Sequence, residues 1–98
     1  MQRQTRYVAY KRWGNAWAFI VLEGRQISVI GCIYTSDNRF RKGPSVTIGE
    51  IPDDELFNEI HERSCMYDTK SPKLEAYVQQ VWQQAKETEP WYNYQLEK

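Results

Sequence analysis

The sequence predicts an α+β fold, an antiparallel meander of three to four strands followed by two helices. Two observations carry this. The first half holds short β-branched and aromatic segments separated by glycine-containing turn signals, and after Pro52 the apolar period changes from that of a strand to that of a helix. A length of 98 residues suits a single domain with one core.

Arg6 to Trp13 alternates aromatic or apolar with polar residues, and Gly14-Asn15 follows as a turn. Ala16 to Leu22 is a nearly unbroken apolar run containing Trp17, Phe19, Ile20 and Val21, short enough for a buried central strand. Gly24-Arg25-Gln26 turns the chain again, and Ile27 to Tyr34 supplies a third, β-branched strand. Connections this short join antiparallel neighbours. From Thr35 to Ser45 the chain is polar, and Ser36-Asp37-Asn38 with Gly43-Pro44 marks a loop. Within it lies the densest basic cluster, Arg39-Phe40-Arg41-Lys42, and Val46-Thr47-Ile48 follows as a short fourth strand.

Pro52 suits the first turn of a helix, with Asp53, Asp54 and Glu55 complementing its dipole. Leu56, Phe57 and Ile60 form its apolar stripe, and the expected end is Cys65 or Met66. Ser71-Pro72 then reads as an N-cap and a proline at the first helical position. Leu74, Tyr77, Val78, Val81, Trp82 and Ala85 recur at helical period and define one continuous face. Pro90 stops the helix before an aromatic tail, Trp91-Tyr92-Asn93-Tyr94. The expected organisation is a single domain: a meander with a basic loop over 1–51, two helices over 52–89 and the tail over 90–98.

The formal charge of zero hides a split. Residues 1–49 carry eight basic residues against two acids, a local charge of +6, and residues 50–98 carry five against eleven, or −6. Such a dipole bears on partners more than on fold. No apolar run reaches the ~20 residues of a membrane span. The two cysteines, Cys32 and Cys65, make no disulfide framework, and with no export signal in view the expected compartment is the cytoplasm.

No catalytic motif emerges. His61, Cys65 and Cys32 lack the paired spacing of a zinc site, and Glu59 and Glu62 make a poor setting for a nucleophilic thiol. No cofactor is expected. The acids Glu50, Asp53, Asp54, Glu55, Glu59 and Glu62 read as a solvated helix face or as a patch for a basic partner. Arg39, Arg41 and Lys42 around Phe40 suit an acidic protein surface or, less readily, a phosphate backbone. Trp91 and Tyr92 are candidate apolar anchors for a partner. Pro44 and Pro72 offer X-Pro bonds that a host prolyl isomerase can address.

Taken whole, and notably over Arg6-Tyr7-Val8-Ala9-Tyr10-Lys11-Arg12-Trp13 and Ser71 to Trp82, the chain resembles the small anti-RecBCD accessory proteins of temperate phages. The resemblance implies a non-enzymatic modulator that binds the host RecBCD nuclease–helicase through its RecC subunit and changes how DNA ends are treated. The alternative is a small DNA-binding module that uses a three-stranded sheet and the basic loop.

Overall fold

The computed structural model describes residues 5–13, 16–34 and 40–88, with side chains for all of these except 13, 16, 33–34 and 40–44. Four strands, β1 (Thr5–Trp13), β2 (Ala16–Glu23), β3 (Gln26–Tyr34) and β4 (Phe40–Glu50), precede two helices, α1 (Asp54–Glu62) and α2 (Pro72–Glu87). The strands form one sheet in the order β1-β2-β3-β4, antiparallel throughout. The expected α+β meander with two helices is the architecture found.

Alternation along β2 decides which side is the core. Ala18, Ile20 and Leu22 are buried with Ile27 and Val29 of β3, against Leu56 and Ile60 of α1 and Leu74, Val78, Val81, Trp82 and Ala85 of α2. The helical face read from the sequence is therefore the packed face, and Tyr77 is half-buried at its margin. Val8 and Ala9 are both buried although adjacent. The β1–β2 register steps from Tyr7↔Val21 to Ala9↔Ile20, so Val8 is the extra residue of a bulge and two neighbours reach the same core.

β4 begins well before the expected Val46. The segment predicted as a loop from Thr35 to Ser45 is extended from Phe40 onward. Gly43-Pro44 does not break it, because β4 is an edge strand and the register steps from Ile30↔Ser45 to Cys32↔Lys42. Two residues thus face Gly31 alone, a bulge on an edge, where a residue without an N–H is tolerated. A second bulge at Ile48 precedes Gly49, whose φ of 139° no side-chain-bearing residue adopts without strain. The tight β2–β3 turn uses Gly24 at φ 64°.

The first helix is shorter than expected at both ends. Its N-cap is Asp53, whose carboxylate accepts from the Leu56 N–H at 2.9 Å, so Pro52 precedes the cap instead of occupying the first turn. It stops at Glu62 because the N–H groups of Ser64 and Cys65 turn to the Asp68 carboxylate, at 2.7 and 3.4 Å, and leave the helical ladder. The second helix starts as read, with Ser71 as N-cap and Pro72 at its first position.

Candidate functional site: an aromatic sheet face

The helices cover one side of the sheet. On the other, register places Tyr10 opposite Phe19 and Arg12 opposite Trp17. Tyr10 stacks with Phe19 (centroids 6.4 Å, planes at 29°) and tilts against Trp17 at 5.7 Å, while Tyr7 meets Phe19 edge-on at 5.8 Å. The Arg12 guanidinium lies 5.5 Å over the Trp17 ring. Tyr7 and Tyr10 are 51% and 41% exposed and Tyr67 is 68% exposed, while Val21 on the same side of β2 is 2% exposed, so the tyrosines stand at the surface beside a covered centre. β2 is apolar on both sides, yet among the described elements the helices pack on only one.

Tyr67 joins this face from the α1–α2 loop, packing edge-on to Tyr10 at 5.5 Å. A polar clasp holds the loop there. Arg63 donates from Nη2 to the carbonyls of Met66 and Asp68, and from Nη1 to the carbonyl of Val8 at 3.4 Å. Val8 is the bulged residue, so the clasp engages the edge strand where its ladder is interrupted. The Asp68 carboxylate closes the other side through Ser64 and Cys65 N–H groups. These two backbone bonds, then the Cys65 thiol and the Arg63 charge, hold its acid below the usual carboxylate range. Between this loop and the start of β1 lies a cleft of about 310 Å³, lined in part by Arg6, Tyr7, Ile60, Arg63 and Cys65.

Charged residues gather toward both ends of the strands. One row across the sheet reads Arg12, Trp17, Cys32, Lys42, with Lys11 and Arg41 at neighbouring positions. The row at the opposite end reads Thr5, Glu23, Gln26, Glu50, and the acids at the start of α1 follow it in the chain. Arg6, opposite Leu22, and Arg25, in the β2–β3 turn, also stand at this end, so the contrast between chain halves does not become a clean separation along the strands.

Most of the acids predicted as a possible partner patch have internal duties. Lys73 bridges Asp53 and Glu55 at 3.0 and 2.7 Å, and Arg25 pairs with Asp54 at 2.8 Å while lying over the Phe57 ring. The Leu56 N–H, then Lys73, hold the Asp53 acid below its ordinary value, and the same carboxylates raise Lys73. Glu59 accepts from the Ser71 N–H at 2.8 Å and from its hydroxyl at 2.6 Å. Partial burial pushes the Glu59 acid upward, but the two Ser71 bonds and Arg63 outweigh it, and the net direction is down.

His61 and Cys65 are not brought together. The imidazole packs against Phe57 at 4.5 Å with a buried Nε2 that has no hydrogen-bond partner among the described residues, whereas the exposed thiol is directed to Asp68 at 3.7 Å. Burial, then the Arg6 charge, lower the basicity of His61. Among the described residues no group of three or more histidine, cysteine, aspartate or glutamate side chains is placed to hold a metal. No described helix is long and apolar enough to cross a membrane.

Of the predicted contact residues, Arg39, Trp91 and Tyr92 lie outside the described residues. Phe40, Arg41, Lys42 and Pro44 belong to β4 and not to a loop, their side chains being outside those described. Pro72 is exposed at the first position of α2. Sequence reasoning missed Tyr7, Tyr10, Trp17, Phe19 and Tyr67 as a site. The available signal was the Ala16–Leu22 run, apolar at every position in a meander with only two helices to cover it. Comparison with family models, curated proteins and solved structures finds no match to this chain.

Proposed function

We propose that this chain is a small non-enzymatic phage protein that docks on the host RecBCD nuclease–helicase, through RecC, and inhibits or modifies its handling of DNA ends. Its place of action is the cytoplasm of the host bacterium. The observation that carries the reading is the aromatic face. A sheet whose second strand is apolar on both sides, with helices over one, offers a surface for recognition, and exposed tyrosines held in fixed mutual contact have the character of interface anchors. The choice of RecBCD as partner comes from the resemblance over Arg6–Trp13 and Ser71–Trp82, which assigns no residue to the face.

The test is capture. The full chain, immobilised and exposed to bacterial lysate, should retain the RecB, RecC and RecD subunits together, and purified complex should bind it without other lysate components. Failure of purified RecBCD to bind at micromolar concentration overturns the proposal. Nuclease and helicase assays on linear duplex DNA with added chain then separate inhibition from modification.

A further inference from the structure

The cleft between the start of β1 and the α1–α2 loop has the size and the lining of a small binding site. Its volume of about 310 Å³ stands at the lower end of the range for ligand pockets. Ile60, almost wholly buried, closes its inner side, Met66 adds an adaptable apolar wall, and the exposed residues Tyr7 and Tyr67 stand at its margins. Its available cation is Arg6. That residue is half-buried, and among the described residues no acid pairs with it. Residues 1–4, just before it in the chain, include no aspartate or glutamate. Arg63 also lines the cleft, but its two Nη atoms are engaged by three carbonyls. The acids nearest the loop are engaged as well, Glu59 by Ser71 and Asp68 by the Ser64 and Cys65 N–H groups. A cation held partly out of water with no acid beside it is unfavourable, and a carboxylate supplied by a ligand relieves it. The lining therefore asks for two things at once, an apolar group and an anion, and rejects a basic occupant.

We infer that this cleft binds a short segment of a protein partner in which an aliphatic side chain stands beside an aspartate or glutamate, the aliphatic group against Ile60 and Met66 and the carboxylate on Arg6. This deepens the proposed function by giving the chemistry of the partner segment, and it rests on that reading only for where the segment comes from. Arg63 and Asp68 are positioning residues: they hold the loop that forms one wall of the cleft. A free oxyanion would meet Arg6 but leave the apolar lining in water. A wholly apolar segment would fill the cleft and leave Arg6 unpaired.

The experiment is an amide-resolved NMR titration of the full, isotope-labelled chain. The probes are hexapeptides of glycine and serine carrying one leucine next to a glutamate, a glutamine or a lysine, with sodium acetate as the free-anion arm. Shifts should concentrate in residues 5–7 and 63–67, which line the cleft. The glutamate peptide should bind with a Kd of roughly 0.2 mM, as for about 17 contacting non-hydrogen atoms at ordinary ligand efficiency. The glutamine peptide should bind about 5-fold more weakly, the effect of a part-exposed ion pair, and the lysine peptide more weakly still. Arg6→Gln should erase the preference for glutamate over glutamine, whereas Tyr67→Ala should weaken both peptides alike. Circular dichroism melting verifies that each variant is folded, and the peptide series on the wild-type chain decides the matter without them. No shifts in these segments at millimolar peptide, equal affinity for the glutamate and lysine peptides, acetate binding as tightly as peptide, or a glutamate preference that survives Arg6→Gln overturns the inference. The RecBCD capture experiment run in parallel separates the two proposals. Capture by a chain that binds no peptide ends the inference and keeps the function. Peptide binding without capture does the reverse.

Discussion

Glu59 is the polar residue whose removal should cost this fold most per atom. Its two oxygens accept from the backbone N–H and the hydroxyl of Ser71, and the Ser71 oxygen accepts in turn from the Leu74 N–H at 3.1 Å. The carboxylate therefore orients the very hydroxyl that caps α2, and Leu74 directly behind it is fully buried. Truncation in Glu59→Ala removes two charge-assisted bonds and frees the cap. Each bond is worth ~1.5–3 kcal/mol when well shielded, and partial exposure lowers each to ~1 kcal/mol, ~2 kcal/mol for the pair. For a domain of this size that lowers Tm by ~10 °C. In Ser71→Ala the cap, the hydroxyl's acceptance from the Leu74 N–H, is lost at ~1 kcal/mol, together with the hydroxyl's bond to Glu59. The two changes share one network, so the double variant should be less destabilised than the sum by ~1 kcal/mol. Acid sharpens the test. The folded-state acid is depressed below its ordinary 4.5, so its contribution is complete above that value and is lost as pH falls through the folded pKa. Urea unfolding followed by circular dichroism near pH 7 and near pH 3 should show the gap between wild type and Glu59→Ala closing in acid. A gap of equal size at both pH values, or a Tm unchanged at neutrality, would refute the assignment of Glu59 as the tie between the helices.

Leu22 is fully buried in the core cluster, and Leu22→Ala should cost ~3 kcal/mol in chemical unfolding; a loss under 1 kcal/mol would mean the site collapses freely. Arg63→Met keeps the apolar stem but deletes the bonds to three carbonyls, so amide exchange over residues 64–68 should accelerate at least tenfold while α2 stays protected. His61 has a folded pKa below its ordinary 6.5, so between that value and the folded pKa the unfolded chain binds more protons and stability falls as pH falls. Tm measured from pH 7 down to pH 5 should therefore decline less in His61→Leu than in wild type, and parallel curves would show the imidazole to be indifferent to folding.

The sequence made the meander and the second helix legible because each rests on local physics. Gly24 has to take a positive φ at a two-residue turn, Ser71 and Pro72 have to precede a helix, and the Leu74–Ala85 spacing fits one face only. Elements that depend on distant partners were harder to read. Gly43-Pro44 carries every mark of a loop until it is known to lie on a sheet edge, where a bulge absorbs it. Cys65 continues the apolar pattern of α1 in principle, but Asp68, three residues beyond, takes the N–H groups the helix would have used. The aromatic face was hidden by the same degeneracy. Trp17, Phe19 and Val21 alternate with Ala18, Ile20 and Leu22, and an apolar run does not say which of its two sides the helices will cover. The Val8 bulge also breaks the alternation of β1, so Tyr7 and Tyr10 share a side despite an odd separation.

The clasp around Tyr67 is the feature that a purely structural account of the face explains least well. Arg63 satisfies two carbonyls of its own loop and one of β1, and Asp68 satisfies two N–H groups, yet the ring displayed by this network is 68% exposed and adds little to the core. A polar network that fixes an exposed aromatic against Tyr10 lowers the entropy a binding partner would have to remove, since ordering a loose side chain and its loop costs ~0.5–1.5 kcal/mol per residue at an interface. The clasp and the face are therefore coupled. Freeing the loop, with no change to any ring, should weaken whatever the face holds, chiefly through faster dissociation.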